Sequence, residues 1–82
     1  MSIAIKFKND SYLGALAITP SDTVDFANPV SAVYVGVAGH ITAVMASGEV
    51  ALFSNVAVGV FPIACSRINA TGTTATTMIG LK

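Results

Sequence analysis

Charge is scarce in this sequence. Four Lys+Arg stand against four Asp+Glu, and charged residues make up only 10% of the chain. Nucleic-acid binding needs clustered Lys and Arg to displace counterions from phosphates. Lys6 and Lys8 are the nearest approach to such a cluster, and two lysines are too few. Chemistry-bearing residues are equally sparse: there is no Trp, one His and one Cys. A single thiol excludes an internal disulfide, and one His with one Cys cannot supply the three or four ligands of a metal site. Cys65 lies in the apolar run Phe61–Cys65 and reads as a small core hydrophobe. That leaves His40, beside Gly39 in an expected turn, with no nucleophile to activate. Asp22 and Asp25 form the only close carboxylate pair, and Ser/Asp capping of a corner accounts for them better than a calcium site does. No catalytic residue is identified and no cofactor is expected.

Long unbroken apolar runs are also missing. The longest stretch without a formal charge after the first strands, Phe26–Gly48, is interrupted by Asn28, Pro29, Gly36, Gly39, His40 and Ser47. A spanning helix would be near-continuously apolar with flanking anchors, so no membrane partner is expected. The first dozen residues do not read as a signal peptide either, because Lys8 and Asp10 fall where an apolar core would be needed.

What the chain does have is apolar surface: 54% hydrophobic residues and a mean hydropathy of +0.76. A domain of this size buries only about 60–65% of the surface its unfolded chain exposes. So many apolar side chains cannot all be hidden within one copy. Burial against other subunits is the expectation.

The periodicity is that of strands. Ile3, Ile5 and Phe7 alternate with Ala4 and Lys6, so residues 1–16 are expected to form an N-terminal arm or first strand ahead of a single β domain, 17–82. Such an arm can add to the sheet edge of a neighbour. Thr19-Pro20-Ser21-Asp22-Thr23 reads as a corner, with at most a single helical turn after it. Ala32–Val37 is an expected strand with Val33, Val35 and Val37 on one face. Gly39-His40 is an expected turn, Ile41–Ala46 and Glu49–Phe53 are strands joined through Ser47-Gly48, and Ser54-Asn55 is a break. Val60–Asn69 reads as one long strand, with Pro62 confining that end to a sheet edge or bulge. Thr71-Gly72 turns the chain into a last strand, Ala75–Leu81. The predicted fold is all-β, a small single-domain sandwich or barrel of about six to seven short antiparallel strands. Arg67, the sole charge between Glu49 and Lys82, is expected to pair with Asp22, Asp25 or Glu49.

Three stretches in order carry a family resemblance: Ala17–Asp25 with its Thr-Pro-Ser-Asp corner, Ala32–Gly39 with its Tyr-Val-Gly strand, and Ile63–Thr76 with its Ala-Thr-Gly-Thr-Thr-Ala-Thr run, expected as a closing hairpin. Together they resemble the small head spike base proteins of tailed phages and of phage-like gene transfer agents, over nearly the whole domain. The resemblance implies a non-catalytic virion structural protein on the outside of the capsid, made in the cytoplasm of a bacterial host. It would act as a decoration or cement protein or as a base for a spike or fibre protein. The implied partners are the major capsid protein and further copies of the chain, as a trimer or pentamer. On that reading Ile3, Ile5, Phe7, Thr19, Asp22, Asp25 and Arg67 are the candidate capsid or inter-subunit contacts. The alternative is a small ligand-binding module, for instance carbohydrate-binding, for which the absence of Trp and the presence of only Tyr12 and Tyr34 provide little aromatic platform.

Overall fold

Alternation of β-branched and small residues with turn formers produces seven strands in the computed structural model, which describes residues 12–82. They are β1 Ala15–Ile18, β2 Ala32–Val37, β3 Gly39–Met45, β4 Val50–Val56, β5 Gly59–Phe61, β6 Cys65–Ile68 and β7 Thr76–Leu81. All pair antiparallel in two separate sheets, a four-stranded one in the order β1-β7-β2-β5 and a three-stranded one in the order β4-β3-β6. The fold is therefore an all-β sandwich. In the first strand Ala15 and Leu16 pair with Leu81 and Gly80.

The core lies between the sheets. Ile18, Val33, Val35 and Met78 come from one sheet, and Ile41, Ala43, Cys65 and Ile68 from the other. Val30, Ile63 and Ala75 enter from the connections. Val33 and Val35 are on the inner face as the periodicity predicts, whereas Val37 at the strand end is half exposed.

Several sequence expectations fail in one way: the chain changes sheet where a hairpin or a continuous strand was expected. Gly39-His40 is not a turn but the start of β3, and the change of sheet occurs at Ala38. Gly39 is required there by close approach, because a Cβ would lie 2.5 Å from the Ala75 nitrogen and 2.7 Å from Thr74 Oγ1. Val60–Asn69 is not one strand. Pro62-Ile63-Ala64 is a linker outside the strands, and β5 and β6 belong to different sheets; Pro62 has no N–H with which to continue the ladder. For the same reason Ile63–Thr76 is not a hairpin, since β6 and β7 lie in opposite sheets. The Ser47-Gly48 hairpin is found as expected, closed by Gly48 N–H to the Met45 carbonyl (2.8 Å) and Met45 N–H to the Glu49 carbonyl (2.7 Å).

Ser54-Asn55 is a β-bulge and not a break. Between the pairs Gly39↔Val56 and Ile41↔Phe53, β3 contributes one residue, His40, and β4 contributes two. Asn55 takes a positive φ of 57°, and its N–H donates to His40 Nδ1 at 3.1 Å. The imidazole thus satisfies the backbone donor that the extra residue takes out of the ladder.

A tighter constraint lies in the four-stranded sheet. Gly36 stands opposite Thr77, between the pairs Val35↔Met78 and Val37↔Thr76. Thr77 has φ of 56°, an unfavourable region for a β-branched residue. A Cβ on Gly36 would lie 2.7 Å from the Thr77 carbonyl oxygen and 2.9 Å from its Cβ. Gly36→Ala is therefore expected to destabilise the fold by about 1–3 kcal/mol, the usual cost of forcing backbone to shift in a packed site. Urea unfolding checks this, and an unchanged midpoint refutes it.

Candidate interaction surfaces

Ser21 organises the corner after β1. Its Oγ accepts the N–H groups of Thr23 (3.2 Å) and Val24 (3.1 Å), the capping pattern expected at Ser21, here without a helix. Its own N–H donates to the Ile68 carbonyl (2.9 Å), and further along Phe26 N–H donates to the Ser66 carbonyl (2.8 Å). Val30 then forms an isolated bridge with Cys65. Residues 21–30 thereby run along the outer edge of β6 and occupy its backbone groups.

Two side-chain contacts fasten this strap. The Asp22 carboxylate accepts Thr71 N–H at Oδ1 (2.9 Å) and the Thr71 hydroxyl at Oδ2 (2.7 Å). These hydrogen bonds, the backbone one first, hold its pKa below the ordinary aspartate value. The contact therefore supports the fold above the ordinary carboxyl range and is lost as pH falls through the lowered value. Asp25 Oδ1 accepts from Arg67 Nη1 at 3.1 Å, and Arg67 Nε donates to Asn69 Oδ1 at 2.9 Å. Of the three partners expected for Arg67, the structure brings Asp25. Both members are at the surface, so the pair fixes geometry more than it adds stability.

Among the candidate contacts, Asp22, Asp25 and Arg67 converge on the β6 flank, each engaged within the chain, and Thr19 lies exposed just ahead of them. Ile3, Ile5 and Phe7 lie outside the described residues. The threonine-rich run makes contacts to a neighbouring strand. Thr73 Oγ1 accepts Thr42 N–H (3.0 Å) and Thr74 Oγ1 accepts His40 N–H (2.8 Å). Asn69 N–H and Thr74 N–H donate back to the carbonyls of Thr42 and His40. Where β6 ends, threonine side chains complete the pairing of β3.

His40 and Cys65 are not brought together. Cys65 pairs with Met45 at the far end of β3, about 17 Å from His40 at the rise of a strand. The thiol is fully buried, and desolvation pushes its pKa up to about 11.

Sequence reading did not place the exposed apolar rows. One row crosses the outside of the four-stranded sheet as Ala17–Ile79–Tyr34–Val60, in register on all four strands. Tyr34 and Val60 are 41% and 53% exposed. On the outside of the other sheet Val44 stands between Val50 and Arg67, and Val50 and Leu52 are 61% and 59% exposed. Alternation assigns such residues to one face or the other. It does not reveal which face is buried when both are apolar.

The whole chain is similar to a chain of the capsid of a native gene transfer agent (GTA) particle computed with C5 symmetry. The two are 28% identical with a TM-score of 0.80, and the match covers 100% of each. No family model and no curated protein matches the sequence.

The buried thiol yields a prediction. Its folded pKa of about 11 exceeds the ordinary thiol value of 9.0, so the stability it contributes is complete below about pH 9 and declines as pH rises toward 11. The loss expected across that window is on the order of 2–3 kcal/mol. Urea midpoints should fall over this range in the wild-type chain, and Cys65→Ala should flatten the profile. Parallel profiles for the two proteins would contradict this account.

Proposed function

We propose that this protein is a non-catalytic virion structural protein on the outside of a tailed-phage-type capsid, acting as a decoration or cement subunit or as a head spike base. The observation that carries the reading is the full-length similarity to a chain of a GTA capsid, at 28% identity and a TM-score of 0.80. The apolar rows on both outer faces support it independently. Exposed apolar patches of this kind mark interaction surfaces, and obligate interfaces are more apolar than transient ones.

On this reading the partners are the major capsid protein, further copies of the chain as a trimer or pentamer, and a spike or fibre protein where the subunit serves as a base. Synthesis takes place in the cytoplasm of the bacterial host. Ile3, Ile5 and Phe7 act as a contact arm. Thr19, Asp22 and Asp25 belong to the corner, residues 19–25, that fixes the exit of the arm, and Arg67 is held to it through Asp25. Arg67 and the two aspartates act indirectly, since Asp25 is already engaged with Arg67 and Asp22 with Thr71.

The test combines light scattering with particle binding. Purified protein is expected to be oligomeric at micromolar concentration and to sediment with capsids that lack it. Deletion of residues 1–8 should abolish sedimentation while leaving the strand signature in circular dichroism. A monomer of 8.3 kDa that ignores capsids would overturn the reading. Undiminished binding after the deletion would remove the arm from it.

A further inference from the structure

Among the described residues the sandwich has four edge strands, and three of them are dealt with or very short. β6 is covered by residues 21–30. β5 has three residues and runs into Pro62, two of the usual devices that blunt an edge. β1 has four residues. The fourth, β4, is different. It has seven residues, Val50-Ala51-Leu52-Phe53-Ser54-Asn55-Val56, with no charge and no proline, and among the described residues it pairs only with β3.

The hydrogen-bonding phase of that edge follows from the hairpin. Met45 N–H donates to the Glu49 carbonyl, which makes 45 and 49 a hydrogen-bonded pair. Antiparallel pairs alternate, so Ala51 and Phe53 face β3 across the pairs Ala43↔Ala51 and Ile41↔Phe53. The N–H and C=O groups of Val50, Leu52 and Ser54 therefore point outward along the open edge. They form a ladder that no described residue occupies, flanked by exposed Val50 and Leu52 side chains.

The mouth between the sheets at this flank is apolar as well. β4 and β5 are joined by Ala57-Val58 alone, and Phe53 and Phe61 meet there edge to face with centroids 5.1 Å apart, both only partly buried. Glu49, at the head of β4, accepts the Ser47 hydroxyl and has no cationic partner among the described residues.

We infer that the open edge of β4 is a strand-addition site for the Ile3–Phe7 segment of a second copy of this chain. The inference rests on the reading of the protein as an assembling subunit and names the surface on which copies meet. The alternating segment matches what the edge requires. With Ile3, Ile5 and Phe7 turned inward beside Phe53 and Phe61, Ala4 and Lys6 face outward. Two of the four cationic residues, Lys6 and Lys8, are then delivered to the flank that carries Glu49. The domain also presents donor and acceptor on opposite sides. β1, from which the segment departs, is the far edge of the sheet whose other edge is β5, and β5 is tied to β4. A segment leaving the β1 flank meets the β4 flank of a copy standing alongside. Repetition of that contact is heterologous and closes into a ring when the rotation per copy permits.

Cysteine pairs in the full chain test the contact. A residue opposite Ala51 would be in a non-hydrogen-bonded pair, with Cα atoms about 4.5 Å apart, within reach of a disulfide. Ala51→Cys is combined in turn with Ile3→Cys, Ile5→Cys and Phe7→Cys. At least one combination is expected to give covalent multimers on a non-reducing gel, whereas Ala4→Cys with Ala51→Cys should give none; native Cys65 is buried. Adding Leu52→Pro to the best pair removes an outward N–H without touching the β3 ladder, and it should cut the cross-linked yield at least tenfold. No multimer from any of the three pairs, a disulfide formed only within one chain, or a yield unaffected by Leu52→Pro overturns the inference. Cross-linking needs no capsid, so its failure leaves capsid sedimentation as a separate result, and the reverse also holds.

Discussion

The strap of residues 21–30 along β6 is the contact on which the rest of the domain depends. A three-stranded sheet with two open edges would be a poor partner for the four-stranded sheet, because exposed ladders invite pairing with other chains. The strap occupies one of those edges with backbone hydrogen bonds from Ser21, Phe26 and Val30. It also delivers Val30, one of the most deeply buried side chains, into the core beside Cys65. Asp22 on Thr71 and Asp25 on Arg67 hold it laterally. Since the strap connects β1 to β2, it also determines how the two sheets are placed over one another.

A similar economy governs β3, the central strand of the smaller sheet. On one side it pairs with β4, and on the other with β6 for only part of its length. The remainder is completed by Thr73, Thr74 and Asn69 from the connection to β7. The uncharged polar residues Asn69, Thr73 and Thr74 thus serve backbone groups. His40 does the same. Its imidazole accepts the N–H of a bulged residue, a structural task that accounts for a lone histidine with no nucleophile beside it.

How much of this was legible in the sequence depends on whether the relevant interaction was local. The all-β class, the Ser47-Gly48 hairpin and the inward Val33 and Val35 follow from period and turn chemistry within a few residues. Arg67 had only a few carboxylates to choose from, so its pairing with Asp25 was among the options that composition left open. The changes of sheet at Ala38 and at Pro62–Ala64 were not legible, because a strand that continues and a strand that crosses to the other sheet have the same periodicity. The open β4 edge was hidden for a related reason: Val50 and Leu52 on one face and Ala51 and Phe53 on the other are all apolar. Which edge is left unpaired depends on residues far away in the chain.

The opposition of Gly36 and Thr77 has a consequence for the history of the sequence. One position lacks a side chain because the other carries its backbone in a conformation that threonine rarely adopts. Neither residue can drift alone without a steric or conformational penalty, so the two should change together across related chains. The Gly of the Tyr-Val-Gly strand and the second Thr of the closing Ala-Thr-Thr are sterically one unit, 41 positions apart in sequence and adjacent in the sheet.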